Sequence, residues 1–184
     1  MKRFLFFSLL ILFAVNQAFG QFKTGNLSDL KNKAKDQAGS VGSQVYEALA
    51  KEFLKVAKDI PFDYNSSELR LNDPKYSVAG YNIDDFMKKV LIPALSKLVN
   101  ALPSDKKVLL IGHASASGTE EPSGRFMGNT ALSQKRAEAV LNYILKNSQL
   151  TEGKFEIQAK GSTSPKSGTD PVDNVNCRTG FGLQ

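Results

Sequence analysis

Among its 184 residues the chain has one cysteine and one histidine. A lone Cys177 forms no internal disulfide, so the fold has to be held by its core. A zinc site needs three or four ligands, and one His with one Cys does not supply them, so neither a metal nor a cofactor is expected. His113 has Ser115 two residues away, but a nucleophile and its base normally converge from distant segments, and no G-x-S-x-G elbow occurs. No catalytic residue is expected, and the chain reads as non-enzymatic. Basic and aromatic residues are not interleaved in a stacking pattern, which argues against a nucleic-acid partner. The apolar run from Phe4 to Val15 is too short to span a bilayer as a helix, and no other segment is long and apolar enough, so no transmembrane span is expected.

That run has a different meaning. Lys2 and Arg3 precede it and Ala18-Phe19-Gly20 follows it, the order of a signal peptide over residues 1–20, with Gln21 beginning the mature chain. Export is therefore expected. No cysteine follows the cleavage site, so a lipid anchor of the bacterial lipoprotein type is not expected. The formal charge of +6 loses two positive charges with the signal, leaving 22 basic against 18 acidic residues, or +4. This mild excess favours contact with an anionic cell-wall or membrane surface.

Residues 21–40 are polar and rich in Lys, Asn and Gly, as in a flexible leader, with a short helix at Leu27–Ala38. Residues 41–58 form an amphipathic helix, with Val41, Val45, Leu49, Phe53, Val56 and Ile60 recurring every three or four residues. Its apolar face either packs on its own domain or docks on a protein partner or a second copy. Ile60–Tyr64 reads as a short strand. Asn82 caps a helix with acids in its first turn, whose face carries Ile83, Phe86, Val90, Ala94, Leu98 and Leu102 and which Pro93 should kink. Val108–Ile111 is a continuous aliphatic run, read as a central buried strand. Ala137, Val140, Leu141, Ile144 and Leu145 mark the next helix. Phe155, Ile157 and Ala159 alternate as a strand, and so do Thr179, Phe181 and Leu183. This order predicts an α+β domain over residues 59–184, a mixed sheet with helices on one face.

One stretch is more specific. "LLIGHASASG", residues 109–118, is followed by "NTALSQKRAEAVLNYIL", residues 129–145. Together these resemble the OmpA-like peptidoglycan-binding domain, which shows an aliphatic strand, G-H-T-D-x-x-G, N-x-x-L-S-x-x-R-A and an amphipathic helix. Gly112, His113, Gly118, Asn129, Leu132, Ser133, Arg136, Ala137, Val140 and Tyr143 fall on that pattern. "IPFDYNSSEL" resembles the family's first strand and loop, "GSTSP" its G-x-x-x-P, and "NCRT" its N-R-R-V. The resemblance implies a β-α-β-α-β-β two-layer sandwich. It implies a non-enzymatic envelope protein, periplasmic or associated with the outer membrane, that binds the peptide stem of peptidoglycan without a covalent bond.

The resemblance also implies a pocket for diaminopimelate, which carries an amine and a carboxylate. An acid meets the amine, while an arginine and helix N-terminal amides meet the carboxylate. By position the binding residues are Ala114, Ser115, Asn129, Leu132, Arg136 and Arg178. Arg136 falls at the edge of the apolar stripe, and Arg136→Ala is expected to abolish binding without affecting stability. Asn129 reads as a pocket residue or as the helix cap. The departure is at G-H-A-S, where Ala114 and Ser115 replace the family's Thr and Asp. Losing that carboxylate removes a charge-assisted hydrogen bond of about 1.5 to 3 kcal/mol. The loop from Thr119 to Gly128 is longer than the family's, and Glu120 or Glu121 either supplies the missing carboxylate or stays solvated. Cys177 replaces the first arginine of N-R-R-V, as a small buried apolar group or as a bridge to another chain. Two functions follow. One is peptidoglycan binding. The other is an envelope scaffold that keeps the fold without the pocket and holds a protein partner through the N-terminal helix or the long loop.

Overall fold

The computed structural model describes residues 27–184, with side chains from residue 39; the expected signal peptide lies outside them. The chain divides into two units between Gly42 and Ser43. Of the first, only helical backbone and a few side chains are described, and the account below is of the second. Helix α1 (Leu27–Val56) takes in the short helix expected in the leader and all but the last two residues of the amphipathic helix expected at 41–58, with fourteen residues of the polar leader. It is followed by β1 (Ile60–Pro61), a small hairpin of β2 (Ser77–Val78) and β3 (Tyr81–Asn82), and α2 (Ile83–Phe86). A π-helical turn (Met87–Leu91) joins α2 to α3 (Ile92–Asn100), and then come β4 (Val108–His113), α4 (Asn129–Lys146), β5 (Phe155–Ala159) and β6 (Arg178–Leu183). The main sheet has the order β1-β6-β4-β5. β4 runs parallel to β5 and antiparallel to β6, and β6 is antiparallel to β1. The domain is thus the α+β fold with a mixed sheet that the periodicities predict.

Partners directly opposite in a ladder share a face. Leu110 pairs with both Phe181 and Ile157, and Gly112 pairs with Thr179 and Ala159. The face they define carries the helices. A Cβ on Gly112 would lie 1.9 Å from the Ser133 carbonyl oxygen of α4. Only glycine lets helix and strand approach this closely. Phe53 of α1 meets Phe181 edge-on on the same face, with centroids 6.1 Å apart. The opposite face is open, so Val108–Ile111 is central but buried on one side only: Val108 and Leu110 are inaccessible, whereas Leu109 and Ile111 are half-buried.

Two further expectations need correcting. The buried stripe of α1 is Tyr46, Ala50 and Phe53, while Val41 and Val45 are exposed and Leu49 and Val56 half-buried. Spacing alone allowed either stripe, and the larger aromatic body of Tyr46 goes to the core. In the second helix Asn82 caps as expected, its Oδ1 accepting from the Asp85 amide at 2.7 Å. After Phe86, however, the buried residues are Met87, Leu91 and Leu95 rather than Val90 and Ala94. Pro93 cannot donate a helical bond and its ring crowds the carbonyl of residue 89. The wide turn at Met87–Leu91 accommodates it and moves the core-facing stripe on by one residue. Tyr143 of α4 donates to the Asp84 carboxylate of α2, tying the two helices together.

Candidate ligand-binding cleft

The C-terminal end of β4 and the N-terminus of α4 meet at one edge of the helical face. Between them lies an open-mouthed cleft enclosing about 330 Å³, including solvent at its mouth. Its walls come from the loop after β1 (Tyr64, Asn65), the loop after β4 (Ala114, Ser115, Gly118, Thr119), the insertion (Phe126, Gly128), α4 (Asn129, Leu132, Arg136) and Cys177. Five of the six residues implied by the resemblance, Ala114, Ser115, Asn129, Leu132 and Arg136, come together here. Arg178 does not. Strand side chains alternate between faces: Cys177 precedes β6 and turns to the cleft, whereas Arg178 pairs with His113 on the open face.

Arg136 is the largest fully buried side chain described. Its place on α4, three residues after Ser133 and four before Val140, puts it within the buried stripe rather than at its edge. Its Nε donates to the Ser66 carbonyl at 2.8 Å, one terminal nitrogen to His113 O at 2.8 Å and the other to Asp63 O at 2.9 Å. The guanidinium carbon lies 5.7 Å from the centre of the Phe62 ring. One side chain thus holds the loop after β1 against the end of β4. Among the described residues no carboxylate pairs with it. Burial lowers its pKa, partly opposed by the adjacent Cys177. The expectation that Arg136→Ala leaves stability unchanged is therefore corrected, because that change would orphan one buried and two partly buried carbonyls and empty the space of a wholly enclosed side chain.

The other walls are neutral. Ser115 Oγ lies 2.6 Å from Ser117 Oγ. Asn129 is not the cap of α4; that position is Gly128, at φ 85, with no side-chain cap. Any Cβ there would sit 2.5 Å from Glu120 O. Asn129 instead donates through Nδ2 to Gly118 O at 3.0 Å, fastening the start of the insertion. Glu120 turns away from the cleft: its carboxylate accepts from the Ser162 amide at 3.1 Å, from the Ser162 hydroxyl, and from Thr130 Oγ1 at 3.2 Å. Burial pushes its pKa up, but these donors, together with the Asn129 side chain, outweigh it and the net shift is downward. Glu121 is exposed and does not line the cleft. So neither acid supplies the carboxylate that Ser115 lacks. The insertion closes in a tight turn between Ser123 and Phe126, whose amides and carbonyls exchange bonds of 3.0 Å. It leaves Phe126 half-exposed at the mouth across from Tyr64, whose hydroxyl donates to Ser117 O at 3.4 Å. Sequence reasoning singled out neither aromatic, since their signal is a position in space.

On the open face, Arg178 lies 3.4 Å from Asp59 and donates to Asn176 Oδ1 at 3.2 Å and Ser164 O at 3.3 Å. His113 sits beside it. Burial first, and then the Arg178 charge, push the imidazole pKa from 6.5 down to about 4. Its Nδ1 has no partner among the described residues. Cys177 is buried and free. Among the described residues no cluster of His, Cys, Asp or Glu could hold a metal, and no helix is long and apolar enough to cross a membrane.

A family model described as the OmpA family matches residues 62–177. No curated protein matches the chain. Among solved structures, the peptidoglycan-associated lipoprotein from Burkholderia pseudomallei is 22% identical, with a TM-score of 0.48, covering 69% of this chain and 90% of that one. The C-terminal domain of Helicobacter pylori MotB is 17% identical, with a TM-score of 0.47 and coverage of 69% and 85%. The OmpA-like domain of FopA1 from Francisella tularensis is 23% identical, with a TM-score of 0.45 and coverage of 68% and 70%.

Proposed function

This chain belongs to the OmpA family, and from that premise we propose that it is an exported, envelope-associated protein that docks on peptidoglycan without a covalent bond and without catalysing a reaction. The observation that carries this reading is the convergence of Ala114, Ser115, Asn129, Leu132 and Arg136 in one cleft. A buried guanidinium with no carboxylate partner among the described residues makes that cleft receptive to a carboxylate, while the first two amides of α4 are already taken by Thr119 O at 2.8 Å and Glu120 O at 3.4 Å. Arg136 acts through its field and its remaining N–H groups while its three carbonyl bonds keep it in place. Asn129 and Ser115 supply neutral polar contacts, and Ala114 and Leu132 the apolar wall. Arg178 acts indirectly, by fastening the loop at Ser164. The test is co-sedimentation of the mature protein with purified sacculi at low salt, where electrostatic contributions are largest. Failure to sediment overturns the reading.

One observation favours a second reading: no acid lines the cleft, and Glu120 is spent on Ser162 and Thr130. The domain would then be an envelope scaffold, holding a protein partner or a second copy through α1. Ser115→Asp separates the two. Sedimentation of the variant but not of the wild type assigns the loss to that position, whereas sedimentation of neither favours the scaffold.

A further inference from the structure

We infer that the cleft selects a peptide C-terminal carboxylate whose own nitrogen is acylated, rather than the free zwitterionic end of a diamino acid. This rests on the peptidoglycan reading and sharpens its ligand. The electrostatics of the cleft are one-sided. Arg136 is fully buried and has no carboxylate partner among the described residues. A buried charge without a counter-ion is costly, and a bound anion relieves that cost. The first turn of α4 adds little to this potential, because its Asn129 and Thr130 amides already donate to Thr119 O at 2.8 Å and Glu120 O at 3.4 Å.

An ammonium would find nothing to offset this. Asp63, the nearest acid in the chain of contacts, offers Arg136 only its carbonyl. Its carboxylate is engaged by Arg70 at 3.0 Å, Lys75 at 3.3 Å and the Tyr76 hydroxyl. Glu120 does not line the cleft, and its carboxylate is taken at the first turn of α4 by Ser162, Thr130 and the Asn129 side chain. An ammonium in the cleft would therefore lose its hydration and face a guanidinium with only neutral acceptors, such as the Ser115 hydroxyl and the Asn129 amide oxygen, in return. An amide nitrogen carries no charge and needs one acceptor, which a serine hydroxyl provides. Ala114, Gly118, Gly128 and Leu132 give the wall beside Arg136 small and apolar surfaces.

The test runs the sacculus pelleting assay with the mature protein against three competitors: acetyl-D-alanyl-D-alanine, its C-terminal amide, and free meso-diaminopimelate. Direct calorimetric titration of each runs alongside. The acid peptide is expected to bind and compete, with the amide and the diaminopimelate at least tenfold weaker. Ser115→Asp is expected to reverse the order, gaining diaminopimelate and losing the acid peptide. The inference fails if diaminopimelate binds wild type as well as the acid peptide does, if the amide equals the acid, or if the protein pellets and none of the three competes. In each case pelleting keeps the peptidoglycan reading intact. If the protein does not pellet but binds the acid peptide, the ligand class stands and the sacculus reading falls. If it neither pellets nor binds any probe, both fall.

Discussion

Arg136 and Arg178 are both buried, and both bond to backbone carbonyls of loops, yet the sheet separates them into different electrical situations. Arg178, on the open face, has Asp59 at 3.4 Å. Arg136, on the helical face, has only carbonyls, an aromatic ring and a cysteine. His113 touches both situations, since its carbonyl accepts from Arg136 while its ring sits beside Arg178. A neutralised arginine is a structural fastener. One without a counter-ion is a fastener that also leaves an unmet demand for an anion. The fold makes the distinction by the alternation of a strand and the stripe of a helix, not by the residue type.

The comparison breaks most visibly at Arg136. Removing it leaves one buried and two partly buried carbonyls without their donor and opens a void, and Arg136→Ala is expected to cost about 3 to 5 kcal/mol. Chemical denaturation should show a lower midpoint with an unchanged slope. A loss below about 1 kcal/mol would mean the guanidinium is dispensable to the fold. Arg136→Lys keeps the charge without the planar fork. Provided its midpoint stays near that of wild type, weaker sedimentation of this variant reports on the cleft alone.

His113 gives the next largest effect. Its pKa is about 4 in the folded protein against 6.5 ordinarily, so the unfolded chain binds the proton first. The resulting stability is fully present above pH 6.5, declines as the pH falls and is exhausted near pH 4. It amounts to about 3 kcal/mol. His113→Gln should flatten the stability profile across that window, and an unchanged slope would show that the imidazole is not desolvated. Arg178, Asp59 and Lys160 all act on this titration.

Arg178→Ala sharpens the contrast. It removes an ion pair with a partly exposed partner and two long hydrogen bonds, worth about 1 to 2 kcal/mol together. It also relieves the charge that helps hold His113 neutral, so the pH dependence should shrink. Sedimentation with sacculi should change less than for Arg136→Lys, and an equal loss would put Arg178 in direct contact with the ligand. The smallest effect is expected at Glu120. Glu120→Gln keeps the shape but weakens the acceptor for Ser162 and Thr130, costing about 0.5 to 1 kcal/mol. Sacculus binding should be unaffected, and a marked loss would show that this carboxylate reaches the ligand.

Much of this was legible before any coordinates. The 2 and 3.6 residue periods identify the strands and helices because each element has to bury one side of itself. Asn82 followed by two acids marks its helix start through local hydrogen bonding alone. The register of buried faces was less legible. In α1 the stripe through Val45 and Leu49 and the stripe through Tyr46 and Ala50 both lead to Phe53, and only the neighbouring sheet selects between them. Pro93 announces an irregular helix, but not that a π turn would absorb it and shift the stripe from Val90 to Leu91. The hairpin of β2 and β3 is too short to carry a period.

The sequence by itself determined the order of elements, the G-H-A-S substitution, and the set of side chains from which a binding site could be drawn, because these depend on residue identity and local spacing. Only the tertiary structure decided that Arg136 is wholly enclosed and Arg178 lies on the other face. It also decided that Glu120 spends its carboxylate on Ser162 and that no acid replaces the one Ser115 lacks. Those outcomes depend on which groups, 42 to 73 residues apart in the chain, come within 3.1 Å of one another. Hydrogen bonding and desolvation act at that range, and sequence spacing does not encode it.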